Sequence, residues 1–302
     1  MKDRGPFPEV FDSSILATLK SCPQLFKKIY IDQWKAKTTS VHLHAGGAFA
    51  KGVEVVRTRF FVHNDPPEDA VAEGLAALLL AYGDFDSLNT SNKDLCHMAG
   101  ALVFYFDMYP LNHETAYPIL LPGGRRAIEF SFAHPLPVAH PITGQPIIYC
   151  GRFDAINSFA GDTFGFDEKT TGSLGATWSR KWDLRGQFTG YTWGCREAGI
   201  RCAGIVVRGV SLLVNYYDTQ EAICYFPEWM VNRWYTEMLE WISEAIRWWD
   251  TGRFKYNLDE TCAKFGGCGF TIACKSQDET PWLETYFEKR HWNPITREET
   301  KL

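Results

Sequence analysis

Residues 149–171, YCGRFDAINSFAGDTFGFDEKTT, constrain the fold more than any other part of this 302-residue chain. Two runs rich in aromatic and β-branched residues flank the turn signal SFAGD, the pattern of a β-hairpin. A hairpin centred between Ala160 and Gly161 sets Asp154 opposite Asp167, because both lie equally far from that centre. The two-residue period of a strand then puts Asp167 and Lys169 on one face and Glu168 on the other. Directly opposed like charges destabilise a strand pair, and adjacent carboxylates raise the pKa of one of them. A divalent cation between Asp154 and Asp167 relieves both effects, since hard cations such as Mg2+ bind one or two carboxylates plus phosphate oxygens. Such an ion lowers the pKa of a bound water and neutralises charge in an in-line displacement. Lys169 is then placed to position that water or to stabilise developing charge. A solvated hairpin with scattered charges is the simpler account; the opposed register and the G-x-x-D pattern at Gly151 to Asp154 favour catalysis.

Upstream of the hairpin the periodicity is helical. DSSILATLKSCPQLFKKIYIDQW predicts one helix, capped by Ser13 or Ser14, with Ile15, Leu16, Leu19 and Phe26 as its apolar stripe. GGAFAKGVEVVRTRFFV, PPEDAVAEGLAALLLAYG and NKDLCHMAGALVFYFDMY predict three more, the middle one opened by Pro and closed by Gly. RRAIEFSFAHPL reads as a strand before the hairpin. After it come the helical SRKWDLRGQFTGYTWGCREAG, the buried strand CAGIVVRGVSLLV, a strand at EAICYF, and a long amphipathic helix in PEWMVNRWYTEMLEWISEAIRWWDTG. Gln187 and Tyr191 are four residues apart on the helix after the Lys169 strand and so share a face. The order implies an α/β chain with a central mixed sheet flanked by helices and no linker. We expect one domain over residues 1–302, with a helical N-terminal region (1–125), a catalytic core (126–227) and a helix plus cysteine-rich cap (228–302).

CAKFGGCGFTIAC spaces Cys262, Cys268 and Cys274 evenly near the C-terminus. Nine cysteines, an odd number, in a long chain whose start lacks the apolar core of a secretory signal argue for a reducing, cytoplasmic setting. There a cysteine cluster is a metal site rather than a disulfide framework. A closed thiolate site needs four ligands and takes either zinc or an iron–sulfur cluster; the C-x5-C-x5-C spacing is wider than the C-x2-C of zinc sites. Cys96, Cys150, Cys195, Cys202 and Cys224 sit in apolar or helical contexts and read as small buried hydrophobes. The net charge of −5 excludes a globally basic nucleic-acid coat, so any such contact needs a local positive groove. No apolar run approaches the roughly 20 residues of a membrane helix.

GRFD at Asp154, DEK at Asp167 to Lys169 and Q-x-x-x-Y at Gln187 to Tyr191 together resemble the PD-(D/E)XK nuclease superfamily, in its RecB-type branch. The match covers roughly residues 126–212, and SCPQLFKKIY also looks like the N-terminal helix of that family. The resemblance implies a restriction-endonuclease-like fold. It implies a Mg2+- or Mn2+-dependent DNA nuclease, of exonuclease type, as found in bacteria and phage-infected hosts, with a recombination, annealing or helicase protein as a possible partner. Cys22 with Cys262, Cys268 and Cys274 resembles the one-plus-three cysteine set of the iron–sulfur members of this branch, which implies a [4Fe–4S] cluster closing the cap onto Cys22, with Zn2+ as the alternative. Where family members carry a metal-binding His, GGAFAKGVE has Ala50; Glu54 or Glu129 could supply a carboxylate instead, and Glu129, on a strand, is preferred. The expected shell is therefore Asp154, Asp167, Glu129 and the backbone carbonyl of Glu168, with Lys169, Gln187 and Tyr191 completing the site. Arg180, Lys181 and Arg185, with Lys27 and Lys28, are expected to hold a DNA backbone, at ends or single strands, without sequence preference. The alternative from another class is a catalytically inactive DNA-binding scaffold that keeps the fold. The absent His favours it, and the retained Asp154, Asp167 and Lys169 weigh against it.

Overall fold

The computed structural model describes residues 4–38, 40–85, 92–258, 260–263 and 267–301. The chain opens with β1 (Val10–Phe11), α1 (Ser13–Ser21), α2 (Pro23–Phe26), a π-helical turn over Lys27–Ile31, and β2 (Trp34–Ala36). Three helices follow, α3 (Val41–Phe61), α4 (Pro67–Tyr82) and α5 (Leu95–Met108). The strands β3 (Tyr117–Pro118), β4 (Ser131–Ala139), β5 (Pro146–Arg152), β6 (Ala155–Phe159) and β7 (Asp162–Thr171) lead to α6 (Ala176–Arg180) and α7 (Gly186–Glu197). Then come β8 (Gly204–Leu212), β9 (Tyr217–Tyr225) and α8 (Glu228–Thr251). The chain closes with α9 (Glu260–Ala263), α10 (Thr271–Cys274), α11 (Thr280–Tyr286), β10 (Phe287–Asn293) and β11 (Glu298–Lys301). These elements form two compact units: residues 39–131 with 152–228, and residues 1–38 with 132–151 and 229–302.

The first of these, the hairpin unit, is built on a five-stranded sheet of order β3-β6-β7-β8-β9. β6 and β7 pair antiparallel, from Ala155↔Phe166 to Phe159↔Asp162. That is the register expected from the sequence, and one further step sets Asp154 across from Asp167. Ala160 and Gly161 both take positive φ, 51° and 84°, which matches a two-residue I′ turn. β7 and β8 run parallel, and α6 and α7 supply the crossover that such a pair requires. β8 is buried along its whole length, as a strand covered on both faces must be. On one face, Phe49, Val53, Leu102 and Tyr105 of α3 and α5 pack with Val210 and Leu212. On the other, Trp178 lies over Gly209, where a Cβ would stand 2.4 Å from the ring.

The expected strand at residues 125–136 does not form as a unit. β4 begins only at Ser131, and Glu129 stands in a bend with φ 51°. Its N–H donates to the Asp154 carbonyl at 3.0 Å, and this left-handed residue interrupts the ladder after the single bridge Ile128↔Ala155. The helical stretch after β7 likewise divides into α6 and α7.

In the other unit, the cysteine unit, the expected first helix breaks at Cys22, which is extended with φ −158°. Pro23 disfavours the helical conformation of the residue before it. The cap is Asp12 rather than Ser13 or Ser14; its carboxylate accepts from the Ile15 N–H at 2.7 Å. β1 pairs parallel with β5, in the sheet β1-β5-β4. α8 buries Val231, Trp234, Met238, Ile242, Ala245 and Trp249, the spacing of an amphipathic helix. β10 pairs antiparallel with both β2 and β11, although the sequence there shows no alternating apolar pattern.

Candidate active site

The β6–β7 hairpin and the bend at Glu129 bring the candidate carboxylates together within the hairpin unit. Asp154 lies just outside the ladder, and its carboxylate accepts the Glu168 backbone N–H at 3.0 Å. Asp167 is buried, and Lys169, on the same strand face, pairs with it. Burial pushes the Asp154 carboxyl well above the ordinary Asp range; Asp167, Glu168 and Glu129 push the same way and Lys169 opposes them. Burial also raises Asp167, against the pull of Lys169 and Arg185. For Lys169 burial would lower the pKa, yet the carboxylates of Asp167 and Asp154 outweigh it and hold the ammonium charged. Tyr191 is pushed up to about 12 by burial and then by Asp167, and Gln187 donates to its hydroxyl at 3.2 Å. The sequence-predicted residues Asp154, Asp167, Lys169, Tyr191 and Gln187 thus converge on one face of the sheet.

Glu129 reaches this group from its bend rather than from a strand, and Arg152 holds its carboxylate at 2.8 Å. Among the described residues, no three His, Cys, Asp or Glu side chains stand close enough to hold one metal ion. Within the site each acid already has a partner: Lys169 for Asp167, Arg152 for Glu129, a peptide N–H for Asp154. The donor set remains that of a hard divalent cation: carboxylate oxygens, two of them on groups that burial disfavours as anions.

Sequence reasoning missed the far face of the same strands. Glu168 points away from Asp167 and is gripped by Arg57, whose two terminal nitrogens donate to its two carboxylate oxygens, one at 3.1 Å. The Tyr105 hydroxyl donates to the same carboxylate at 3.1 Å. Burial alone would raise Glu168, but Arg57 and then Arg208 outweigh it and hold the carboxylate below its usual range. Arg208, paired in register with Glu168, donates to Glu114 at 2.9 and 2.7 Å and to Glu221 at 2.9 Å. A buried arginine in an amphipathic helix is visible in sequence only as one more charge.

Of the expected DNA-backbone residues, Arg185 lies near enough to act on Asp167, and Lys181 lies near Arg185 and Lys169. The Lys181 ammonium stacks on the Trp182 ring at 4.4 Å, and Arg180 ends α6. Lys27 and Lys28 belong to the cysteine unit. Lys28 is 1% exposed and paired with Glu279, so its charge is used internally; Lys27 pairs with Asp32 at 2.5 Å.

In the cysteine unit, Cys22, Cys262, Cys268 and Cys274 line one cavity of about 260 Å3. The helix break places Cys22 there, and Phe270, stacked on Phe287 at 4.1 Å, anchors the C-terminal cysteines. Burial raises the Cys268 and Cys274 thiols; Cys22 adds to both, and Lys28 works against both.

No family model matches the chain, and no curated protein matches its sequence. Its fold is similar to the crystal structure of a "putative exonuclease" from Eubacterium rectale, with a TM-score of 0.50 and 12% identity over 86% of this chain and 88% of that one. A second solved structure, SSO0001, shares 14% identity over 64% of this chain and 73% of that one, with a TM-score of 0.28.

Proposed function

We propose that this chain is a divalent-metal-dependent deoxyribonuclease of exonuclease type. The observation that carries the reading is the convergence of Asp154, Asp167 and Lys169 beneath Tyr191 and Gln187 on one sheet face. The fold similarity to the Eubacterium rectale protein supports it. Asp154 and Asp167 would hold Mg2+ or Mn2+, with Glu129 and the Glu168 carbonyl as auxiliary ligands. Bound there, the cation supplies charge neutralisation and a water of lowered pKa. Lys169, kept cationic by its two aspartates, acts as a fixed positive charge on the phosphate or the attacking water rather than as a base. Tyr191 and Gln187 hydrogen-bond the substrate strand, and Arg185 and Lys181 hold its backbone phosphates.

The four cysteines of the other unit would hold a [4Fe–4S] cluster. Cys22, Cys262, Cys268 and Cys274 border one cavity of about 260 Å3 together with nine further residues, and Zn2+ is the alternative occupant of the same thiolate set.

The deciding experiment incubates purified protein with end-labelled DNA and Mg2+ or Mn2+. The wild type degrades it, and Asp154→Ala and Lys169→Ala each lose about a hundredfold or more of the rate. Equal degradation by wild type and both variants, or none by the wild type with either metal, overturns the reading.

A further inference from the structure

We propose that Arg57 is a positioning residue for the candidate metal site: by clamping Glu168 it fixes the peptide N–H that orients Asp154. This rests on the metal-site reading above. Asp154 lies one residue beyond the last ladder pair, Ala155↔Phe166, so the β6–β7 ladder does not fix it. Its backbone carbonyl is held by the Glu129 N–H at 3.0 Å, and its carboxylate by the Glu168 N–H, also at 3.0 Å. The direction of that second N–H depends on the Glu168 peptide plane. The peptide lies in the β7–β8 ladder, where Glu168 pairs with Arg208, and its side chain is held from the opposite face of the sheet, where Arg57 takes both carboxylate oxygens and Tyr105 one of them. Asp167 and Lys169 flank Glu168 in the chain, so the clamp from helix α3 holds the residue that stands between them.

Stability alone does not account for such a clamp. The side chains of Arg57 and Glu168 are 5% and 1% exposed, and a well-packed apolar pair is often as stable as a buried ion pair or more so. A bidentate guanidinium–carboxylate pair adds directional constraint, and here the constrained peptide faces the site. The surrounding charges allow the two contributions to be separated. Arg57 and Arg208 stand against three carboxylates, Glu168, Glu114 and Glu221. Replacing Glu168 by Gln thus leaves two cations against two anions, with one oxygen that still accepts from Arg57 and an NH2 that stands against its second nitrogen.

The test is calorimetric titration of the full-length protein with Mn2+ in the absence of DNA, scoring the binding that Asp154→Asn removes. The double variant Arg57→Met/Glu168→Met is expected to melt at or above wild type, yet to bind Mn2+ ten- to a hundredfold more weakly, on the order seen when groups that orient metal ligands are lost. Glu168→Gln, which keeps one of the two Arg57 contacts, is expected to fall between wild type and the double variant. Arg57→Met alone leaves a buried carboxylate unpaired and melts lower. Wild-type affinity in the double variant overturns the proposal. Because no DNA is present, a wild type that binds Mn2+ but degrades no DNA would refute the nuclease reading and leave this proposal standing.

Discussion

Asp154 stands where its anion is disfavoured. Burial pushes its carboxyl well above the ordinary Asp value of 3.8; Asp167 and Glu168 add to that, and Lys169 subtracts. An acid whose folded pKa is raised contributes stability that is fully present below the unfolded pKa and is lost as pH rises toward the folded one. Without divalent metal, the hairpin unit is therefore expected to melt at progressively lower temperature as pH climbs from about 4 through the folded pKa of Asp154. A cation bound to the ionised form offsets the loss, so the Mg2+-induced rise in melting temperature should grow with pH. Asp154→Asn should flatten the pH profile in chelator and abolish the Mg2+ increment; parallel profiles for variant and wild type would refute the assignment. Asp154, Asp167 and Lys169 were legible in the sequence because they lie within sixteen residues joined by one turn. Arg57 was not, since its partner Glu168 lies 111 positions away in the chain and nothing local distinguishes it from an exposed helix arginine.

At the scale of the element, the β6–β7 hairpin does the aligning. Its register was readable because the turn has no slack: Phe159 pairs with Asp162 across two residues only, and hairpin register follows from turn length. The turn chemistry is imperfect, however. Ala160 has φ 51°, a conformation that costs an L-residue with a Cβ roughly 1–2 kcal/mol and that Asn or Gly accepts more readily. Ala160→Asn should therefore stabilise the hairpin unit by about 0.5–1 kcal/mol in a denaturant titration while leaving the rate of DNA cleavage unchanged. A destabilised variant would mean that the turn is not of this type. The neighbouring error in reading has the same origin. Glu129 was expected on a strand because RRAIEFSF has strand composition, but composition does not reveal a left-handed residue that ends the ladder after one bridge. Likewise β10 and β11 hide in sequence because their side chains are mostly half-exposed or exposed, leaving no two-residue apolar period to detect.

At the scale of the whole molecule, the chain divides into two units through interleaved segments, and no composition shift marks residues 38–39, 131–132, 151–152 or 228–229, where it passes from one to the other. No linker shows in the sequence because three of the four crossings fall inside an element, β4, β5 or α8. The cysteine unit is assembled from both ends of the chain, through β1 with β5 and β2 with β10, and Cys22 joins three C-terminal cysteines around one cavity. A shared cluster would close a loop of 240 residues between Cys22 and Cys262; by the chain-entropy argument for a crosslink, that constrains the unfolded chain by about 5 kcal/mol. The four positions should then behave as one ligand set, despite the distance in sequence. Cys22→Ser is expected to lose iron as completely as Cys268→Ser, by elemental analysis of anaerobically purified protein, and both should melt earlier than wild type. Cys150→Ser, a change outside the cavity, should keep full iron. Full iron in Cys22→Ser would remove Cys22 from the set, and zinc without iron in the wild type would replace the cluster with the smaller metal.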